Sequence, residues 1–211
     1  MKKQRTWSHG LILGAFCLGF GIVLAASDHI TVDDIAARAL EDRLNSLGQV
    51  IPDSIHDNNL IEDAITMMNE RNKEITVYRA TREGKVTGVA YEIFGVGYAG
   101  QMKLMLGLDA QGKILGVRVL AHKETAGLGD KMEVKKSNWI LRFDGLSLDN
   151  PLPEKWKVKK DGGQFDQFAG ATITPRGVVD AIRKGLELFA AHKEQMMDLS
   201  APKAPMKEEH K

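Results

Sequence analysis

The run Asp166-Gln167-Phe168-Ala169-Gly170-Ala171-Thr172-Ile173-Thr174-Pro175-Arg176-Gly177 sets a threonine hydroxyl in a turn of small residues just ahead of a helix start. Gly170 and Ala171 put little bulk around Thr172. Thr174 suits the N-cap and Pro175 the first helical position, where a missing N–H costs nothing. The helix that follows turns its unpaired N–H groups and positive dipole end back toward the turn, an arrangement that favours phosphate. A hydroxyl beside such an end suggests a phosphoester link. On these residues alone a capped turn accounts for the pattern as well.

A second segment, His122-Lys123-Glu124-Thr125-Ala126-Gly127-Leu128-Gly129-Asp130-Lys131, joins hydrogen-bonding groups (Glu124, Thr125, Asp130) to one apolar side chain, Leu128. Its glycines allow close backbone approach, and by themselves they describe only a turn at a strand end. His122 beside this loop reads as a histidine bonded to backbone. A third segment, Gly95-Val96-Gly97-Tyr98-Ala99-Gly100, lacks the Lys-Ser/Thr ending of a phosphate-binding loop and leads into a strand, which argues against a dinucleotide site. Histidines 9, 29, 56, 122, 192 and 210 are scattered, so the spacing offers no metal site.

The elements that must carry these segments follow from periodicity. Thr31 is placed to cap a helix with Asp33 and Asp34 in its first turn, an apolar stripe at helical spacing over Ile35, Ala36, Ala39, Leu40, Arg43 and Leu44, and a stop at Gly48. A short helix is possible at Leu60–Asn69. From Glu74 the period becomes two. Residues 75–80 and 86–94 flank a Gly84-Lys85 turn, and residues 101–108 and 114–120 flank Asp109-Ala110-Gln111-Gly112, which predicts two hairpins. Residues 114–120 show no polar face and are expected at the centre of the sheet. The helix from Pro175 carries Val178, Val179, Ile182, Leu186 and Phe189 on one side. The expected fold class is α+β, an antiparallel sheet flanked by helices behind an N-terminal transmembrane helix.

The N-terminus decides the compartment. Residues 1–10 hold Lys2, Lys3 and Arg5 without an acid, and residues 11–26 are uncharged. That apolar run rises roughly 24 Å, and the stretch from Trp7 to Ser27 about 31 Å, which matches a ~30 Å hydrocarbon core with Trp7 at its interface. The basic flank should stay cytoplasmic, sending the rest of the chain across. A cleaved signal peptide competes, because the run is short and ends in small residues, although Val23-Leu24-Ala25 fits a cleavage site loosely. The mass of the mature N-terminus distinguishes the two.

Cys17 is the only cysteine, lies in the apolar run, and follows a Phe16 too bulky for a lipid-attachment signal. The exported domain therefore has no internal disulfide. Lys and Arg (29) nearly balance Asp and Glu (28), for a net charge of +1 and no nucleic-acid surface. The chain divides into a basic flank and anchor at 1–27, a helical membrane-proximal segment at 28–73, a domain core at 74–197, and a polar, Pro-punctuated tail expected to be disordered at 198–211.

Gly97-Tyr98-x-Gly100, Glu124-Thr125-x-Gly127-Leu128-Gly129-Asp130 and Gly170-Ala171-Thr172-Ile173-Thr174-Pro175, in this order, resemble the FMN-binding domain found in two kinds of redox complex. One bearer is the G subunit of the Rnf (Rsx) electron-transport complex, the other the C subunit of the sodium-pumping NADH:quinone reductase. The resemblance runs from the anchor to about residue 190, and the Thr-Pro-Arg-Gly and His-Lys-Glu-Thr wording is closer to Rnf G.

The resemblance implies covalent FMN, joined through a phosphoester to Thr172 by a separate flavin transferase that draws on FAD. Gly170, Ala171 and Thr174 complete the attachment segment, and Asp166 matches the acidic residue of the transferase recognition motif. Glu124, Thr125, Gly127, Leu128 and Gly129 match the loop against the flavin. The implied role is an electron relay without turnover of its own. It would sit with other membrane subunits in an ion-translocating ferredoxin:NAD+ oxidoreductase of the bacterial inner membrane, its single-pass domain on the periplasmic side. The alternatives are the C-type subunit of the quinone reductase and a flavin-free structural subunit.

Two positions depart from the family pattern: Ala169 replaces Ser or Thr, and Ala126 replaces Pro. The first loses a hydroxyl that could bond phosphate or transferase but leaves the nucleophile. The second loosens a loop by up to about 1 kcal/mol through the unfolded state.

Overall fold

Alternating apolar residues between tight turns fold as five antiparallel strands, each paired to the next in the chain. They are β1 (Ile65–Met68), β2 (Glu74–Arg82), β3 (Lys85–Val96), β4 (Gln101–Asp109) and β5 (Ile114–Ala121), flanked in sequence by helices α1 (Lys3–Val50) and α2 (Ile173–Met197). The computed structural model describes residues 3–68 and 73–204. It separates into two units, one ending at Arg43 and one beginning at Leu44.

The first unit is helical. Within it His9–Asp28, 20 residues, is long and apolar enough to cross a bilayer. Trp7, Leu11, Phe16, Phe20 and Leu24 all expose more than half of their surface. The cap expected at Thr31 is absent, because α1 runs on without a break. The Thr31 hydroxyl donates back to the Ser27 carbonyl at 2.8 Å, which a helix interior accommodates. The side chains of Ile35, Ala36, Ala39 and Leu40, expected as an apolar stripe, lie outside those described.

In the second unit the sheet is covered on both faces. Register aligns Val77, Tyr91, Leu106 and Val117 in one row across β2–β5, all fully buried. This row faces α2, where Tyr91 donates its hydroxyl to the Gly185 carbonyl at 2.8 Å. The α2 residues Val178, Val179, Ile182, Leu186 and Phe189 are buried as the helical period requires. The next row, Tyr78, Ala90, Gly107 and Gly116, faces the last turn of α1. A Cβ on Gly107 would sit 2.3 Å from the Val50 carbonyl oxygen, so only glycine lets that turn lie on the sheet. Gly48 is consequently not a stop. The helix continues to Val50 and ends ahead of Pro52, whose ring disfavours helix at the residue before it.

Three further expectations change. No helix forms at Leu60–Asn69: residues 60–63 are turns, residues 65–68 form β1, and Asn69 lies outside the described residues. The boundary drawn at residue 74 thus separates β1 from its partner β2. Residues 114–120 form an edge strand rather than a central one. They lack a polar face because α1 covers one side, α2 and its neighbours the other, and Gly145 and Leu146 exchange backbone bonds with Ile114 along the rim.

The tail expected to be disordered from residue 198 is held as far as Ala204, while residues 205–211 lie outside the described residues. Ala204 N–H donates to Ala64 O at 2.7 Å, and Lys203 bridges to Ile65. Arg79, fully buried in β2, donates to the Asp198 carbonyl, the Asp63 carbonyl at 3.1 Å and the Asp63 carboxylate at 2.9 Å.

Replacing Arg79 by Met should lower stability by about 3–5 kcal/mol, because it leaves Asp63 buried with its main partner gone. Urea denaturation of the full chain in detergent, read by tryptophan fluorescence, checks the loss. Limited proteolysis should show new cleavage between Asp198 and Ala204.

Candidate functional site

Aromatic packing fixes the turn that presents Thr172. Trp139 meets Phe143 and Phe168 edge-on at 5.2 and 5.0 Å, and Phe143 stacks on Phe165 at 4.6 Å. The Trp139 indole N–H donates to the Asp166 carbonyl at 2.8 Å. Phe168 is thereby anchored, and its carbonyl accepts from Ala171 N–H at 3.2 Å to close the turn. Gly170 takes φ +80°, and a Cβ there would touch Leu128 Cδ2 at 3.4 Å. Thr172 follows, half-buried, at the N-cap of α2.

Helix α2 starts two residues earlier than expected, and Thr174 is inside it, fully buried, rather than at its cap. The Thr172 hydroxyl makes no capping hydrogen bond, so among the described residues its oxygen is not committed to the helix end. The helix is held close to β3 at this point: a Cβ on Gly177 would lie 2.1 Å from the Val96 carbonyl oxygen.

The Thr174 hydroxyl is instead used by Glu124, donating to Oε2. Oε1 of the same carboxylate accepts from Ala99 N–H at 2.9 Å. Ala99 belongs to the β3–β4 turn, closed by Gly97 N–H to Gly100 O at 2.8 Å. Glu124 therefore joins all three glycine-bearing segments. Two glycines make room for it: a Cβ on Gly97 would lie 2.3 Å from Oε1, and one on Gly129 would lie 2.7 Å from Glu124 Cβ. The Thr125 carbonyl accepts from Leu128 and Gly129, both at 3.1 Å, which curls the loop and leaves Thr125, Gly127 and Leu128 exposed.

His122, read from the sequence as a histidine bonded to backbone, makes that bond at the residue that carries this carboxylate. Its Nδ1 accepts from Glu124 N–H at 3.0 Å, and its Nε2 is 2.7 Å from Glu133 Oε1. Asp130, nearly buried, has Oδ2 3.7 Å from Lys136 Nζ, while Oδ1 has no hydrogen-bond partner among the described residues.

Asp166 is placed differently from the loop residues. It lies under two cations, Arg142 and Lys159, the latter at 2.6 Å. The Lys159 hydrogen bond chiefly, opposed by desolvation and helped by Arg142, holds its carboxyl below the usual carboxylate range. Arg176, in the first turns of α2, is taken by Asp161 through two bonds of 2.6 Å. No spacing rule pointed to Arg142 or Lys159, which reach Asp166 from separate segments.

The FMN-binding domain family matches residues 97–187. The G subunit of the ion-translocating oxidoreductase complex of Cereibacter sphaeroides is 48% identical over 188 residues, covering 89% of this chain and 86% of that protein. Its counterpart of the same name from Stutzerimonas stutzeri is 45% identical over 188 residues, covering 89% and 82%. Among solved structures, the C subunit of the Na(+)-translocating NADH-quinone reductase from Parabacteroides distasonis has a TM-score of 0.50 at 22% identity, covering 72% of this chain and 92% of that one. At that identity the likeness concerns the fold alone.

Two outcomes follow from the geometry. Glu124→Ala leaves the buried Thr174 hydroxyl unpaired and should cost about 1–3 kcal/mol in denaturant unfolding, whereas Glu124→Gln, which can still accept from Ala99 and donate to Thr174, should recover most of it. For Asp166 the folded carboxyl titrates lower than the unfolded one. Its contribution is complete above the ordinary value of about 3.9 and disappears as pH falls through the folded value. Acid titration followed by Trp139 fluorescence should show a transition below about pH 4 that Asp166→Asn removes.

Proposed function

The chain belongs to the family of G subunits of ion-translocating oxidoreductase complexes, and from that premise we propose that it holds FMN covalently at Thr172. In this reading it is a membrane-anchored member of an Rnf-type complex, working beside other membrane subunits, with its FMN-binding domain on the periplasmic side. A separate flavin transferase installs the cofactor from FAD. The apolar helix His9–Asp28 and its basic N-terminal flank support the anchor and its orientation.

The observation that carries the proposal is the convergence on Glu124. Three segments distant in sequence meet there, and the helix they hold begins with an uncapped threonine hydroxyl. The surroundings fit a flavin phosphoester. The Thr172 oxygen is free to carry phosphorus, the first N–H groups of α2 favour its negative charge, and Leu128 offers an exposed apolar contact beside Gly170. The unpartnered Asp130 oxygen leaves an acceptor for a group beyond the chain.

Gly170, Ala171 and Thr174 shape the attachment turn, and Glu124, Thr125, Gly127, Leu128 and Gly129 form the loop toward the flavin. Asp166 is the residue offered to the transferase. FMN supplies one-electron redox chemistry when bound; the protein supplies orientation and electrostatics. Ala169 is exposed, so the hydroxyl it lacks would have faced solvent or the transferase and not the core.

Full-length chain made together with its flavin transferase should give a fluorescent band under ultraviolet light after denaturing electrophoresis, with the added mass on the peptide containing Thr172. Thr172→Ala should be dark. A dark band from the native chain under the same conditions would overturn covalent attachment and favour a flavin-free structural role.

A further inference from the structure

We propose that His122 is a positioning residue for the site. It fixes Glu124 only as the neutral imidazole protonated at Nε2, and it releases Glu124 when Nδ1 takes up a proton.

The two ring nitrogens have opposite requirements. Glu124 N–H donates to Nδ1 at 3.0 Å, so Nδ1 must present a lone pair. Nε2 lies 2.7 Å from Glu133 Oε1; a carboxylate only accepts, so Nε2 must carry the hydrogen. Both bonds are made by one tautomer of the neutral ring, in the arrangement by which a carboxylate orients a histidine for its task. The ring is 15% exposed and Glu133 34%, so the pair is sheltered yet within reach of solvent protons.

Glu133 faces Nε2 from the segment after the Gly129–Met132 turn, and Glu124 lies on the ring's own loop beside the exposed Lys123. On the adjoining strands, Lys103, paired across from Ala121, is closed onto Glu92 at 2.7 Å. None of these competes for Nδ1 in the structure.

A proton arriving at Nδ1 from solvent forms an N–H bond where the acceptor was. Two donors, Nδ1–H and Glu124 N–H, then face each other and their hydrogen bond is lost, while Nε2–H stays on Glu133 as an ion pair. The backbone at Glu124 must shift. Its carboxylate is wedged between Gly97 and Gly129 and bonded to Ala99 and Thr174, so the shift reaches both the β3–β4 turn and the first turn of α2. One proton thus couples to the segment that presents Thr172. The consequence for FMN rests on the function proposed above; the behaviour of the histidine does not.

The test is made on the full chain carrying Thr172→Ala, in detergent micelles, with 15N-labelled histidine and backbone. Because this variant cannot carry flavin at Thr172, failure of the flavin reading and failure of this proposal are read separately. At the higher pH, with the ring neutral, the two-bond 1H–15N spectrum should show His122 with Nδ1 in the unprotonated range and Nε2 in the protonated range. Lowering the pH until the ring takes up a second proton should move Nδ1 into the protonated range, with the amides of Glu124 and Ala99 following the same midpoint.

His122→Asn, which keeps an acceptor near Nδ1, should retain the native Glu124 and Ala99 amide positions and lose their pH dependence. His122→Phe should displace them at every pH. An Nδ1–H tautomer at the higher pH would overturn the proposal. So would amides that ignore the histidine's titration, or that still titrate in His122→Asn. If a variant fails to fold, the titration of the parent chain decides alone.

Discussion

The carboxylate of Glu124 ties together residues 25 and 50 positions away along the chain, Ala99 and Thr174. Nothing else described bonds the β3–β4 turn, the loop after β5 and the start of α2 to one group. Its two oxygens accept from a backbone N–H and a buried hydroxyl, so a charge-bearing acceptor is matched by two donors that would otherwise lack partners. The constraint also explains the composition of its neighbours: Gly97 and Gly129 are glycine because the carboxylate and its Cβ occupy the space where their side chains would be.

That junction depends in turn on packing farther away. The meander gives β3 and β4 a common turn, and α2 lies close enough to β3 for its first turns to reach that turn. On the other side, Trp139, Phe143, Phe165 and Phe168 pack together and hold Asp166 through Gly170 against the edge of the same core. Thr172 is the point at which a helix fixed by the sheet meets a turn fixed by aromatics. A side chain set by two rigid elements keeps its orientation better than one on a free loop.

Much of this was legible in the sequence, and the exceptions share a cause. The strands from β2 to β5, the buried face of α2 and the three glycine-bearing motifs all declare themselves within short windows, by period or by turn residues. β1 did not, because Ile65-Thr66-Met67-Met68 is too short to establish a period after a polar stretch. The position of β5 was misjudged because an apolar strand can be covered on both faces and still stand at an edge. Thr174 looked like a cap because Thr-Pro fits one, but a half-buried acid 50 residues upstream had the stronger claim on its hydroxyl. Arg142 and Lys159 on Asp166, and Glu133 on His122, were invisible for the same reason: each pair is brought together by the fold, whereas the backbone bond of His122 is local and was legible.

Among the described residues, both rims of the sheet are bordered by the chain itself: β1 by Lys203 and Ala204, β5 by Gly145 and Leu146. Exposed strand edges are templates on which foreign chains add strands, and proteins commonly cover or break them. A domain bordered in this way can stand in a crowded membrane assembly, close to other folding polypeptides, with little tendency to exchange strands or seed cross-β stacking. The short stretch pinned by Arg79 thus shields the start of β1 from such pairing.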